Sequence, residues 1–234
     1  MELSGRVVAI TGATGNLGRA VAATFEARGA SLALFGRSEA TLAKAYGAPT
    51  GRRMHAVADL LDRDAVGKGV ASVIARTGRI DALLNLAGGF RMDGPVHTSS
   101  AATFESLFAL NVMTLTNMAH AVVPHMLAAR RGAIVNVGAF AAGRGGAGMG
   151  AYAAAKSAVI RLTESMAAEL REHGINVNCV LPTVLDTPEN RRDMPHADPS
   201  KWVALTDLAD VIAFLASDQA RAIHGAAIPV TGLS

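Results

Sequence analysis

Three observations predict a single-domain, doubly wound α/β fold with a parallel sheet covered by helices on both faces. Short β-branched runs alternate with longer amphipathic stretches along the whole chain. The runs are apolar almost throughout instead of at every second position, as strands buried on both faces are. No long linker or internal repeat divides the 234 residues, a length that open α/β sheets commonly reach undivided. Strand, helix, strand repeated in this way implies right-handed crossovers and therefore parallel strands.

The predicted strands are Val7–Ile10, Ser31–Phe35, Met54–Val57, Ala82–Leu86, Ala133–Val137 and Ile175–Leu181, with a last one at Ala227–Val230. Apolar residues at helical spacing predict helices over Leu17–Arg28, stopped by Gly29, then Ser38–Ala45, Asp62–Arg76, Thr103–Arg130, Ala151–His173 and Leu208–Ala216. Gly143–Gly150 and Thr183–Ser200 are rich in glycine or polar residues and are expected to be loops. The domain is taken as 1–234, with a short substrate loop at about 183–206.

Half of the residues are hydrophobic and 18% are charged, which suits a packed core and excludes a disordered chain. The net charge of +3 and pI near 9.4 come from basic residues dispersed among acids, so no nucleic-acid partner is expected. The seven histidines are scattered without metal-ligand spacing, and no metal is expected. The N-terminal apolar stretch is far shorter than the ~7–15 residues of a signal-peptide core, and no run reaches the ~18 uninterrupted apolar residues of a membrane span. With one cysteine, Cys179, and hence no internal disulfide, these features predict a cytoplasmic protein without membrane association.

Ligands of doubly wound sheets bind beyond the carboxyl ends of the strands, where the strand order reverses. After the first strand comes TGATGNLG, with Gly12, Gly15 and Gly18 leading through Asn16 and Leu17 into a helix. Glycines there permit a tight turn and let backbone N–H groups meet a diphosphate at the positive end of the helix. After the second strand, Arg37 stands where an acid would take the ribose hydroxyls of NAD. An arginine there suits a 2′-phosphate, which favours NADP, while Glu39 close by keeps NAD open and a solvated Arg37 remains the plain alternative. Asp59 and Leu60 follow the third strand; Asn85, Ala87 and Gly88 close the fourth, where small residues admit a flat ligand.

Tyr152 and Lys156 lie i, i+4 on one face of the fifth predicted helix, near its start. A phenol titrates near 10 unless a cation stabilises the phenolate. Lys156 can supply that cation, so the pair is expected to act in proton transfer with the Tyr152 pKa depressed.

These motifs in this order, together with Asn111, Pro182, Thr187 and FLASD at Phe214–Asp218, resemble the short-chain dehydrogenase/reductase family over essentially the whole chain. The resemblance implies a Rossmann-like fold and hydride transfer between a nicotinamide cofactor and a small carbonyl or alcohol, or a conjugated quinonoid substrate. It implies that Tyr152 exchanges a proton with the substrate oxygen, Lys156 holds the nicotinamide ribose, and Asn111 supports a proton path through water. Pro182, Val184 and Thr187 would meet the nicotinamide end. It further implies a homotetramer or homodimer built through the helices at Thr103–Arg130 and Ala151–His173.

Three departures qualify the resemblance. The family usually carries a serine thirteen residues before its tyrosine; here that residue is Ala139, without a hydroxyl. Losing a donor to developing oxyanion charge costs about 10²–10³ in rate, so a catalytically silent NADP-binding sensor or scaffold is the rival expectation. Asn16 replaces the usual middle glycine, and dihydropteridine reductase shares both this glycine spacing and the missing serine. Thr183 replaces the glycine after Pro182, and the loop beyond it holds Arg191, Arg192, Asp193 and His196, where an anionic substrate would find a clamp.

Overall fold

A computed structural model describes residues 2–233 of the chain. All seven strands form where the apolar runs lie: β1 (Val7–Ile10), β2 (Ser31–Gly36), β3 (Arg53–Val57), β4 (Ala82–Asn85), β5 (Gly132–Val137), β6 (Ile175–Pro182) and β7 (Ala227–Val230). They pair in parallel in the order β3-β2-β1-β4-β5-β6-β7. Order reverses between β1 and β4, the switch point beyond which doubly wound sheets take their ligands.

Among the described residues the α-helices are α1 (Asn16–Ala27), α2 (Glu39–Tyr46), α3 (Arg63–Thr77), α4 (Ala101–Phe108), α5 (Thr114–Ala129), α6 (Gly150–Leu170), α7 (Pro188–Asp193) and α8 (Leu205–Leu215). Successive strand residues enter opposite layers, which is why the runs read as continuously apolar. On one face Ile10, Leu32, Leu34, Leu84 and Val135 pack with Val21, Phe25, Leu208 and Ile212 of α1 and α8. On the other, Ala9, Phe35, Leu83, Ile134 and Val177 pack with Val66, Val70, Met118 and Val122 of α3 and α5. Local chemistry sets the helix ends. Ser38 and Asp62 accept backbone N–H bonds as the N-caps of α2 and α3, and Gly78 ends α3 at φ +76°.

Two expectations about elements need correction. The helix predicted over Thr103–Arg130 begins at Ala101 and is interrupted by a π-helical turn, Ala109–Met113, which separates α4 from α5. The wide turn surrounds Asn111, whose side-chain amide bonds outside the helix to Gly89. The segment Thr183–Ser200, expected as loop, contains α7, capped by Thr187 and opened by Pro188, and a short 3₁₀ turn at Pro199–Lys201.

The run Ala101–Ala129, with mean hydropathy 1.3, is long and apolar enough to cross a membrane by length and composition. Half of its most apolar 18-residue stretch is buried inside the fold, where α5 forms one wall of the core.

Candidate active site

The turn after β1 is held against the turn after β4. Gly12 sits at φ +61°, and a Cβ there would lie 2.9 Å from the Ala87 nitrogen. Thr11, which the sequence reading passed over, is the tie: its hydroxyl donates to the Leu84 carbonyl and accepts from the N–H groups of Leu86 and Ala87, at 3.0 and 3.1 Å. At Gly18 a Cβ would lie 2.2 Å from the Gly12 oxygen, so α1 packs directly on the turn. Gly15 differs, because a Cβ there meets only the Gly12 oxygen at 3.4 Å and its backbone is extended (φ −73°, ψ 170°). Neither packing nor conformation demands that glycine. The first turn of α1 has no side-chain cap and no acidic residue. A cradle with open space over Gly15 and uncapped N–H groups fits a dinucleotide diphosphate. The Asn16 amide donates to the Glu189 carboxylate of α7 at 2.6 Å.

At the end of β2, Arg37 is exposed, and its side chain has no hydrogen-bond or ion-pair partner among the described residues. Glu39 turns instead to β3, where its carboxylate meets His55 Nδ1 at 2.7 Å. Asp59 accepts from the Leu61 N–H at 3.0 Å and so shapes its own turn. The Leu60 carbonyl accepts from the Asn117 amide of α5.

Asn85, Asn136 and Thr163 form a buried polar ladder through the sheet. Asn85 Nδ2 donates to Asn136 Oδ1 across paired β4 and β5, and Asn136 Nδ2 donates to the Thr163 hydroxyl on α6, both at 2.9 Å.

Beyond β4, Gly88 is the point at which three elements meet. A Cβ on it would lie 2.7 Å from Asn111 Oδ1 and 3.2 Å from Lys156 Nζ. Asn111 Oδ1 accepts from the Gly89 N–H, while its amide donates to the Gly89 and Leu107 carbonyls. Lys156 is buried, and its ammonium donates to the Val137 carbonyl at the end of β5, at 2.7 Å. Tyr152, one turn earlier on α6, meets the Phe90 ring edge to face at 4.9 Å.

The expected depression of the Tyr152 pKa is not what this environment produces. Burial pushes the phenol up, to about 12. Burial also brings Lys156 down to about 8, partly offset by nearby Cys179, itself pushed up by burial to about 11. The lysine is engaged with the Val137 carbonyl while Phe90 covers the phenol, so Tyr152 stands as a protonated donor at neutral pH.

Ala139 is buried at the end of β5 in an extended conformation (φ −158°, ψ 147°). Ser157, on the same helix as Tyr152, spends its hydroxyl on the Ala142 carbonyl at 2.8 Å. Exposed Phe90, Met92 and Phe140 lie on the segments that follow β4 and β5.

Pro182 ends β6, the Val184 carbonyl accepts from the Val203 N–H, and the Thr187 hydroxyl accepts from the Asn190 N–H as the cap of α7. The expected anionic clamp is not present in free form. Arg191 makes a two-pronged pair with Asp186 at 2.6 and 2.8 Å, and Arg192 pairs with Asp193 at 3.1 Å. Both charges are answered within the loop. Among the described residues, no group of three or more His, Cys, Asp or Glu side chains could hold a metal ion.

An apolar cleft of about 420 Å³ lies away from the strand ends, between α4 and α6, lined by Phe104, Phe108, Met113 and Ala154 among others.

Residues 6–197 match the short chain dehydrogenase family. The chain is 33% identical over 243 residues to 2-(R)-hydroxypropyl-CoM dehydrogenase of Xanthobacter autotrophicus, covering 97% of each. Among solved structures it is similar to NAD+-bound xylitol dehydrogenase, with TM-score 0.89, 27% identity and coverage of 99% of this chain and 100% of that one. It is similar as well to a gluconate 5-dehydrogenase from Burkholderia cenocepacia in complex with NADP and tartrate, with TM-score 0.89, 29% identity and coverage of 99% and 95%.

Proposed function

Because the chain belongs to the short-chain dehydrogenase family, an oxidoreductase family whose fold binds NAD(P), we propose that it is an NADPH-preferring reductase of an uncharged, apolar, conjugated carbonyl compound. The observation that carries this reading is the convergence at Gly88 of Asn111 and Lys156, beside a protonated Tyr152 and the uncapped start of α1.

The dinucleotide supplies the hydride when bound. The N–H groups of Leu17 and Gly18 at the start of α1, with Gly12, Gly15 and Asn16 shaping the turn, hold its diphosphate. Arg37 takes the 2′-phosphate, and its freedom from partners supports NADP over NAD. Asp59 and Leu60 border the adenine, and Asn85, Ala87 and Gly88 leave room for the flat rings. Pro182, Val184 and Thr187 flank the nicotinamide end.

Tyr152, as a phenol, donates a proton to the substrate oxygen. Lys156 leaves the Val137 carbonyl or shares itself with the nicotinamide ribose, and its charge stabilises the phenolate that forms. Asn111 fixes the Gly89 backbone and supports a water at the inner end of the proton path. No hydroxyl at Ala139 orients the substrate carbonyl, so Tyr152 is the principal donor to the oxygen. A carbonyl conjugated to an acceptor system, as in a quinone, polarises without further help. Exposed Phe90, Met92 and Phe140 offer apolar contact to such a molecule. The internal pairing of Arg191 and Arg192 argues against an anionic one.

The segment at about 183–206 closes over the substrate. The assembly is a cytoplasmic homotetramer or homodimer, supported by the apolar cleft between α4 and α6 and by the unpaired, buried Cys179.

Titration with NADPH and NADH, followed by a turnover screen against ketones, quinones and quinonoid pterins, tests this reading. Tyr152→Phe is expected to abolish turnover while dinucleotide binding survives. Absence of NADPH binding to the purified protein would overturn the reading at its first step.

A further inference from the structure

We infer that buried His55 tunes the choice between dinucleotides by holding the Glu39 carboxylate away from the ribose site. This rests on the reading that Arg37 receives a 2′-phosphate.

The place follows from the fold. β2 ends at Gly36 and α2 starts at Glu39, with Ser38 as its cap, so Arg37 to Glu39 lie beyond the carboxyl end of a strand, beside the switch point. That is where the adenosine ribose of a bound dinucleotide lies. A carboxylate there accepts from ribose hydroxyls and repels a 2′-phosphate; an arginine does the reverse. This chain has both charges two residues apart, and they do not pair with each other.

His55 explains the separation. It lies on β3 opposite Leu34 in the β2 register, between apolar Met54 and Ala56, and its side chain is 1% exposed. The contact runs 2.7 Å from Nδ1 to Glu39 Oε1. A carboxylate only accepts, so Nδ1 carries the hydrogen, and Nε2 is buried without a partner. A buried ring nitrogen left unpaired is a cost that a leucine at this position would avoid. Among the described residues, the polar contact of the His55 side chain is with Glu39, whose own side chain is 56% exposed and would otherwise be free to swing toward the ribose. His55 is thus a positioning residue: it touches Glu39 and not the dinucleotide, and by occupying Glu39 it leaves the Arg37 charge unanswered.

The experiment measures dissociation constants for NADPH and NADH by nicotinamide fluorescence in the full chain, for the natural protein, His55→Leu, Glu39→Gln and the double variant. In His55→Leu the released carboxylate should lower the preference for NADPH over NADH about tenfold, a like-charge effect at separations of several ångströms. Glu39→Gln alone should leave the ratio within about twofold, because that carboxylate is already withdrawn. The double variant should return to the natural ratio. An unchanged ratio in His55→Leu overturns the inference. If His55→Leu does not fold, Glu39→Gln decides: a tenfold rise in NADPH preference would show that Glu39 already acts on the ribose site, and an unmoved ratio supports its sequestration. The ratio in the natural protein reports on Arg37; the change between variants reports on His55, whatever the starting value.

Discussion

The Asn16 side-chain amide donates to Glu189 across 2.6 Å and joins the turn after β1 to α7, at a sequence separation of 173. The Glu189 carboxylate is thereby held beside the start of α1, and its pKa is lowered by its own backbone N–H and by Asn16. A dinucleotide diphosphate would place further negative charge at the same helix end. Glu189→Gln should therefore tighten NADPH binding about three- to tenfold at low salt, with the gain shrinking as salt screens it. Weaker binding in that variant would mean that the contact assists the bound state.

The glycines of the turn separate by role. Gly18→Ala drives a Cβ onto the Gly12 carbonyl and should destabilise the fold by about 1–3 kcal/mol, read as a lower urea midpoint. Gly15→Ala should keep the natural midpoint yet lose about tenfold or more in dinucleotide affinity, since its Cβ enters the cradle. A matching loss of stability in both variants would assign Gly15 a purely structural role.

The chain has two tyrosines, and burial pushes both Tyr46 and Tyr152 up to about 12. Absorbance at 295 nm of the ligand-free protein should then show no phenolate through pH 10. A tyrosine titrating near 9 or 10 in the free protein would contradict the protonated Tyr152 on which the proposed reaction depends.

Lys156 should leave a signature in stability against pH. Its folded pKa of about 8 lies below the ordinary 10.5, so above pH 8 the folded chain has shed a proton that the unfolded chain retains. Stability consequently rises with pH there. Cys179, raised from 9 to about 11, contributes the opposite slope above pH 9. The clear rise is confined to pH 8–9 and should vanish in Lys156→Met, measured by urea unfolding at closely spaced pH values.

Ala139→Ser restores a hydroxyl at the end of β5. Turnover of unconjugated ketones should increase by about 10- to 100-fold, while quinone reduction changes little. An equal gain on both classes would show that conjugation does not substitute for the donor.

Periodicity and punctuation made the sheet readable from the residues: each strand is a short, mostly apolar run, and burial on both faces leaves few polar residues within it, namely Ser31, Arg53, His55, Asn85, Asn136, Asn176 and Asn178. The glycine turn and the i, i+4 spacing of Tyr152 and Lys156 are local patterns that need no partner to be seen. Direction of the Tyr152 shift was hidden because it depends on Phe90, from a different loop, and on Lys156 turning to Val137. Likewise Arg191 looks like a free cation until Asp186 is placed against it. The π turn at Asn111 leaves the apolar pattern of a helix almost unchanged, so periodicity passed over it. Only α7 carried an unused local signal, since Thr187-Pro188-Glu189 is a helix start with cap, proline and acid in order.

Asn85, Asn136 and Thr163 bring together β4, β5 and α6, residues separated by 51 and then 27 positions in the chain. A slip of one residue between β4 and β5 would exchange the layers entered by every side chain and strand three polar groups in hydrocarbon. The ladder therefore works as a key for the sheet: only the native alignment of β4 with β5 satisfies its amides, and that alignment sets where the ends of both strands lie.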